Sequence, residues 1–181
     1  MVKPVGTGTQ TKGTFVVGFL TAVGDISQAF EPKLTKILAE NGIENPREDE
    51  TYPAGAVIAS INQLAEDIGP NTTHQIGVKQ VTVPEWPPDI NSIEDGMAAL
   101  NDMYDEAYVN PDEALLGRFH YEQTGDSSGR GAVTKNFPYP PAFARGIFEG
   151  IIKELGPSNA FPRISETEPR ADEKAAFELH W

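Results

Sequence analysis

The stretch FPYPPAFARGIFEGIIKELGP, residues 137–157, decides the fold because it predicts one amphipathic helix between two groups of strands. Prolines precede the helix where a missing amide hydrogen costs no intrahelical bond, and Gly156-Pro157 ends it. Large apolar residues recur at every fourth position, at Phe143, Ile147, Ile151 and Leu155. The pattern is typical of a helix that buries one face against a core.

Segments with strand-like alternation lie on both sides of this helix. On its N-terminal side, Phe119 and Tyr121 alternate with polar residues, and a second run continues to Phe137 after a glycine-rich loop at 125–129. On its C-terminal side we predict strands at 159–164 and 175–181, joined by a polar connection. The residues from Leu115 onward therefore predict the order strand, strand, helix, strand, strand.

Helical periodicity dominates the first two thirds of the chain. It predicts helices over 27–41 and 52–68, a further helix within 72–81, and a long helix that begins at Ser92. The fold class that follows is α+β, with a helical N-terminal half packed on a four-stranded antiparallel sheet.

Length and composition indicate one folded unit. A chain of 181 residues can bury one good core, so we expect a single domain over 12–181. Residues 1–11 are rich in glycine and threonine and are expected to form a flexible tail. Hydrophobic residues make up only 39%, but their concentration in periodic segments argues against disorder.

The chain is strongly acidic, with a formal charge of −13 and a sequence pI near 4.5. Most of such a surface repels phosphate groups, so direct binding to nucleic acid is not expected. Dense carboxylates also suit a cytoplasm at high salt, and we predict a halophilic source.

There are no cysteines, which excludes disulfides, thiolate metal sites and a cysteine nucleophile. No apolar run approaches the roughly 18 residues of a membrane span, so membrane insertion is not expected. The apolar run at 15–23 is followed by Asp25 instead of a small-residue cleavage site. We therefore interpret it as folded structure and predict a cytoplasmic protein.

The order of these elements resembles the superfamily of haem-NO-binding-like and vinyl-reductase-type sensory domains. The similar features are KG before the apolar run at 12–23, Tyr52-Pro53 at a helix start, Ile76-Gly77, the helix within 137–150 and the closing FELHW at 177–181. The resemblance implies a helical part packed on a four-stranded sheet. It also implies binding of a small ligand or a partner, and signalling through a change of shape, often as a dimer.

Two departures limit what the resemblance implies. Many vinyl-reductase-type domains carry cysteines before the last strand, whereas here that connection reads ETEPRADEK at 166–174. Haem-bearing relatives need a proximal histidine and a Tyr-x-Ser-x-Arg set for the propionates, and no such spacing is present. Haem binding is therefore disfavoured, and we predict no cofactor and no metal.

Three histidines are candidates for metal binding or acid–base chemistry. His120 and His180 share parity with the polar residues of their strands, so they could meet on one face if the strands were neighbours, with Glu122 or Glu178 nearby. The simpler interpretation is two solvated histidines, and His74 lies near a predicted helix start. The Gly125 to Gly129 loop lacks the G-x-S-x-G spacing of a serine hydrolase.

A set of aromatic residues could line an apolar pocket between the helical half and the sheet. The alternative is that they are ordinary core. The set comprises Tyr52, Tyr104, Tyr108, Phe119, Tyr121, Phe137, Tyr139 and Phe143. Arg145 is either an anion-binding residue near the helix start or half of a surface ion pair with Glu149.

These observations favour a non-catalytic sensory or adaptor domain that binds a small apolar or partly anionic ligand. We expect it to form a homodimer and to act with a signalling protein partner. The alternative from another class is a small hydrolase or lyase that uses His120 or His180 with carboxylates. A third interpretation is a structural interaction module in which the aromatic set forms solid core.

Overall fold

A computed structural model describes residues 8–181 and confirms the α+β class. Within this range none of the helices is both long enough and apolar enough to span a bilayer. In chain order the elements are β1 (Gln10–Lys12), α1 (Gly13–Ile26), α2 (Phe30–Glu40), β2 (Thr51–Pro53), α3 (Ala54–Ile68), α4 (Pro70–Thr82), α5 (Ile93–Glu106), β3 (Tyr108–Val109), α6 (Glu113–Leu116), β4 (Phe119–Gly125), β5 (Ser128–Thr134), α7 (Pro141–Leu155), β6 (Arg163–Thr167) and β7 (Glu173–His180).

A small antiparallel sheet with the order β2-β1-β3 was not predicted from the sequence. Its strands have two or three residues each, which is too short to show alternation. Of the tail expected over 1–11, residues 1–7 lie outside the described residues, whereas Gln10 and Thr11 belong to β1 and pair with β2 and β3.

The larger sheet has four antiparallel strands, as the sequence predicted, and their order is β4-β5-β7-β6. The predicted third strand at 159–164 was placed too early, because β6 begins at Arg163, directly after Pro162. The second strand ends at Thr134, where a register shift interrupts its pairing with β7, and does not continue to Phe137.

The helix that dominates the sequence, α7, lies across one face of this sheet. Phe148, Ile151 and Ile152 on α7 are fully buried. The Phe148 ring lies 6.1 Å from that of Phe177 on β7, measured between centroids, and it occupies the space beside Gly131 on β5. The apolar face of α7 predicted from the sequence is therefore the face that packs against the sheet.

On its other side α7 packs against α4 with almost direct backbone contact. A Cβ atom on Gly146 would overlap the His74 carbonyl oxygen, and one on Gly77 would overlap that of Phe143. Glycine allows this approach because it has no side chain to separate the two backbones. The distance between α4 and α7 is therefore fixed by glycine positions.

The sheet face opposite α7 carries a buried ion pair between Arg130 and Glu173. The two guanidinium nitrogens lie 2.7 and 2.6 Å from the carboxylate oxygens, and the Glu173 side chain is only 4% exposed. The Arg170 backbone N–H also donates to Glu173, at 2.7 Å. This bidentate geometry holds the connection between β6 and β7 against the sheet.

We predict that Glu173→Gln lowers the free energy of unfolding at neutral pH by about 1–3 kcal/mol, since a buried charge-assisted pair is lost. Hydrogen bonds from Arg130 lower the pKa of Glu173 to about 2. A carboxylate with a depressed folded-state pKa stabilises the fold above its unfolded pKa, and this stabilisation is lost as the pH falls from about 4.5 towards 2. Urea unfolding at several pH values measures both effects.

Glu178→Gln is the matched control, because Glu178 lies exposed on the same strand. It should leave stability nearly unchanged. If Glu173→Gln kept the full acid-dependent loss of stability of the wild type, Glu173 would not be its source.

Candidate functional site

An open cleft of about 400 Å³ lies between the helices and one end of the larger sheet. Helix α1 forms one side of the cleft. The other sides are formed by α5, by the start of α7, and by the C-terminal part of α4 together with the residues that follow it. The lining residues are Thr14, Phe15, Val17, Gly18, Thr21, Ala22, Asp25, Glu48, Lys79, Gln80, Val81, Val83, Pro84, Leu100, Met103, Tyr104, Ala107, Phe119, Tyr139, Phe143 and Ile147.

The inner wall of the cleft is mainly aromatic and aliphatic. Phe119 and Phe143 are buried there, and their rings lie 5.4 Å from Tyr104 and 5.3 Å from Tyr139 between centroids. Phe15 continues this aromatic wall on α1. Such a wall can bury the apolar surface of a small molecule.

The charged lining residues are Asp25, Glu48 and Lys79. The two carboxylates are on exposed residues, and Lys79 is half-buried on the last turn of α4. Within residues 8–181 no carboxylate lies within ion-pair distance of the Lys79 amine. Charge is therefore sparse in the cleft and lies towards its exposed rim.

Three tyrosines form a buried group behind and beside the inner wall. The hydroxyls of Tyr108 and Tyr139 share a hydrogen bond of 2.8 Å, and the Tyr104 hydroxyl donates to the Leu116 carbonyl at 3.1 Å. Burial raises the pKa of all three hydroxyls. They remain protonated at neutral pH.

The structure brings together only part of the predicted ligand-binding set. Tyr104, Phe119 and Tyr139 line the cleft, and Tyr108 lies behind it as the partner of Tyr139. The aromatic set also included Phe137 and Phe143. Phe143 lines the cleft, whereas Phe137 packs in the core between Phe119 and Tyr139.

Tyr52, Tyr121 and Arg145 lie elsewhere. The Tyr52 hydroxyl accepts from the Arg47 backbone N–H and donates to Glu50, both at 2.8 Å. Burial, with a smaller effect of a nearby glutamate, raises the pKa of Tyr121 to about 12. Arg145 donates to the Ile164 carbonyl at 3.1 Å.

The predicted ion pair between Arg145 and Glu149 is wrong. Glu149 instead bonds His74 at 2.9 Å and also pairs with Lys153. Burial lowers the pKa of His74, although the Glu149 carboxylate opposes this shift. The His74 and Glu149 pair joins α4 to α7 and does not line the cleft.

His120 and His180 do not meet. His120 lies on β4 and His180 on β7, and β5 separates these strands. The residue opposite His120 on β5 is Ala132, whereas His180 lies opposite Ser128. In the part of the chain that the structure describes, no group of three or more histidine, aspartate or glutamate side chains could hold a metal ion.

Sequence reasoning missed the α1 side of the cleft. Gly18 lies in the interior of α1, and a Cβ atom at this position would meet nothing within 4 Å. A glycine inside a helix costs stability relative to alanine, so an interior glycine with open space around it is a usable signal. That signal could be read only once 13–26 was known to be helical.

Comparison with known proteins identifies the architecture. No family model matches the sequence, and no curated protein matches it. Among solved structures, an unliganded Fe(II) H-NOX protein from K. algicida aligns with a TM-score of 0.64 at 15% identity, over 93% of this chain and 95% of that one. An oxygen-binding H-NOX domain related to soluble guanylate cyclases, in its oxygen complex, gives 0.61 at 15% identity, over 93% and 94%.

A third solved structure, from a study of haem distortion in the H-NOX family, gives a TM-score of 0.64 at 14% identity, with 94% of each chain covered. The helices over an antiparallel sheet thus define an α+β scaffold of the haem-NO-binding-like type. The chain has the H-NOX fold, which confirms the resemblance at the level of the fold.

The residues of the cleft do not fit a haem group. No histidine or cysteine lines it within residues 8–181, and Met103 is the remaining soft donor. Tyr104 and Tyr139 line it, but the Tyr104 hydroxyl donates to the Leu116 carbonyl and the Tyr139 hydroxyl shares a hydrogen bond with Tyr108. Lys79 is the one cationic lining residue for two propionates, and Asp25 and Glu48 accompany it.

Gly18→Ala should raise the free energy of unfolding by about 0.5–1 kcal/mol, because alanine is the better helix former and the new methyl group meets open space. Equilibrium urea unfolding of the ligand-free protein measures the change. Gly146→Ala is the matched control: the same substitution on α7 would overlap the His74 carbonyl and should destabilise by about 1–3 kcal/mol. Destabilisation by Gly18→Ala would show that α1 is already closely packed there.

Proposed function

We propose that this protein is a sensory domain that binds a small, mainly apolar molecule in the cleft and does not itself catalyse a reaction. The observation that carries the proposal is an open cleft with an aromatic and aliphatic wall, built between the helices and the sheet of an H-NOX fold. One structural relative is described as oxygen-binding, which supports a ligand-binding role for this scaffold.

The chemistry of the wall favours an apolar ligand over an anionic one. Each Å² of apolar surface removed from water contributes about 25 cal/mol, so a ligand that covers the partly exposed Phe15 and Val17 and the exposed Val83 gains binding energy without a charged contact. Arg145, which the sequence suggested as an anion partner, is engaged with the Ile164 carbonyl. Lys79 at the rim remains as the contact for any anionic group.

The position of the cleft supports signalling through a change of shape. A ligand between α1 and the α4–α7 pair would contact both, so its binding would favour conformations in which α1 lies closer to that pair. The homodimer and the signalling partner expected from the resemblance belong to the same proposal. The hydrolase or lyase alternative would use His120 or His180 with carboxylates, and neither histidine lines this cleft.

Native mass spectrometry tests whether the purified protein carries a molecule that is lost on denaturation, and it also reports a dimer. A titration with the neutral dye Nile red tests the cleft directly, since its fluorescence rises in apolar surroundings. We expect saturable binding to the wild type. Gly18→Leu should weaken it by at least about tenfold, equivalent to 1.4 kcal/mol, because the side chain enters the cleft.

Gly55→Leu is the control, since Gly55 is an exposed helical glycine with open space that does not line the cleft. It should bind the dye as the wild type does. Equal binding by Gly18→Leu and wild type, together with a native mass free of any adduct, would contradict the proposed ligand site.

A further inference from the structure

The cleft extends along the whole length of α1. Its lining includes residues from every turn of this helix, and Thr14, Gly18, Thr21 and Asp25 form one stripe because they are spaced by three or four positions. At 1.5 Å per residue the stripe is about 16 Å long. A molecule that covers the whole stripe must therefore be elongated.

Helix α5 contributes a second stripe of lining residues. Leu100, Met103 and Tyr104 line the cleft from the second half of α5, and Ala107 lines it directly after the helix ends. The two stripes meet at one end, where the Lys12 backbone N–H donates to the Ala107 carbonyl at 2.8 Å. From that end the cleft runs between two helices, so it has the shape of a groove.

The volume and the lining of the groove suit a molecule larger than a single ring. An apolar cavity of about 150 Å³ is enough to bind benzene, whereas this groove has a volume of about 400 Å³. Phe15, Val17 and Met103 are half-buried along its wall, so apolar surface in contact with water is spread along the groove. A diatomic gas molecule would leave most of this surface exposed to water.

We propose that the ligand is a long, unbranched, mainly apolar chain that lies lengthwise along α1. An extended chain advances about 1.2 Å per bond, so about thirteen bonds span the stripe from Thr14 to Asp25. A long-chain alcohol has this shape and chemistry. The proposal rests on the proposed function, because it names the class of ligand for the same cleft.

A series of alcohols tests the length of the bound chain: 1-hexanol, 1-octanol, 1-decanol and 1-dodecanol, each used to displace Nile red from the wild type. The probes are uncharged, so Asp25, Glu48 and Lys79 add no ion pair to the measured affinities. We expect the affinity to rise about fourfold per CH₂ group through 1-dodecanol, because each added group is buried. An affinity that stops rising at or before 1-octanol would overturn the proposal, since a compact site holds only a short chain.

Two variants test whether the chain reaches both ends of the stripe. Thr14→Phe and Asp25→Phe each place a bulky ring at one end, and a short chain can still lie in the space that remains. We expect each variant to bind 1-dodecanol at least about tenfold more weakly than the wild type, because several CH₂ groups lose their contacts, and 1-hexanol almost unchanged. Glu66→Phe is the matched control, since Glu66 is exposed on α3 and does not line the cleft. It should bind both alcohols as the wild type does.

If only one of the two end variants weakened the binding of 1-dodecanol, the chain would not span the stripe and the proposal would be wrong. The wild-type series stands by itself if a variant does not fold. The two proposals also fail in different ways. If none of the alcohols displaces the dye and Gly18→Leu binds it normally, the cleft is not a ligand site. If the alcohols bind and Gly18→Leu blocks them but their affinity stops rising at or before 1-octanol, only the class of ligand is wrong.

Discussion

The close backbone contact between α4 and α7 is the constraint on which the rest of the structure depends. At Gly77, Gly146 and Gly150 a Cβ atom would overlap the facing helix, so the two helices approach more closely than side chains would allow. Because α7 also covers the larger sheet through Phe148 and Ile151, this contact ties the helical half to the sheet. The α4–α7 pair forms one wall of the cleft, and α1 lies on the other side of it.

The cleft exists because α1 packs with only one of its faces. Phe19, Leu20 and Val23 are buried in the core. The cleft side carries Phe15 and Val17, and around them on the helix stand Thr14, Gly18, Thr21 and Ala22, which are too small to fill the space. A native interior is normally filled to the density of an organic crystal. An apolar cleft that the chain leaves open keeps hydrophobic surface in contact with water, and a ligand that covers this surface recovers the lost free energy.

The sequence predicted those helices and strands that show a clear pattern within their own residues. Helices α3 and α7 and the ββαββ order followed from periodicity and from prolines and glycines at their ends, whereas strands such as Tyr108–Val109 are too short to carry a pattern. The order of strands in a sheet is not a local property, so the parity of His120 and His180 could not show that β5 lies between them. The cleft was predicted only as aromatic residues, because small residues such as Gly18 and Ala22 do not by themselves indicate whether the space beside them is filled.

The H-NOX fold determines how the helices and strands of this chain are arranged, but it does not determine which side chains line the cleft. At about 15% identity the layers and the order of elements match over nearly the whole chain, but the side chains that would hold a haem are not in the cleft. Tyrosines, which could ligate iron as phenolates, are buried as neutral hydroxyls, with Tyr104 bonded to a carbonyl and Tyr108 to Tyr139. These hydrogen bonds would have to break before the oxygens could ligate iron, so the packing that stabilises this core also opposes metal binding by its tyrosines.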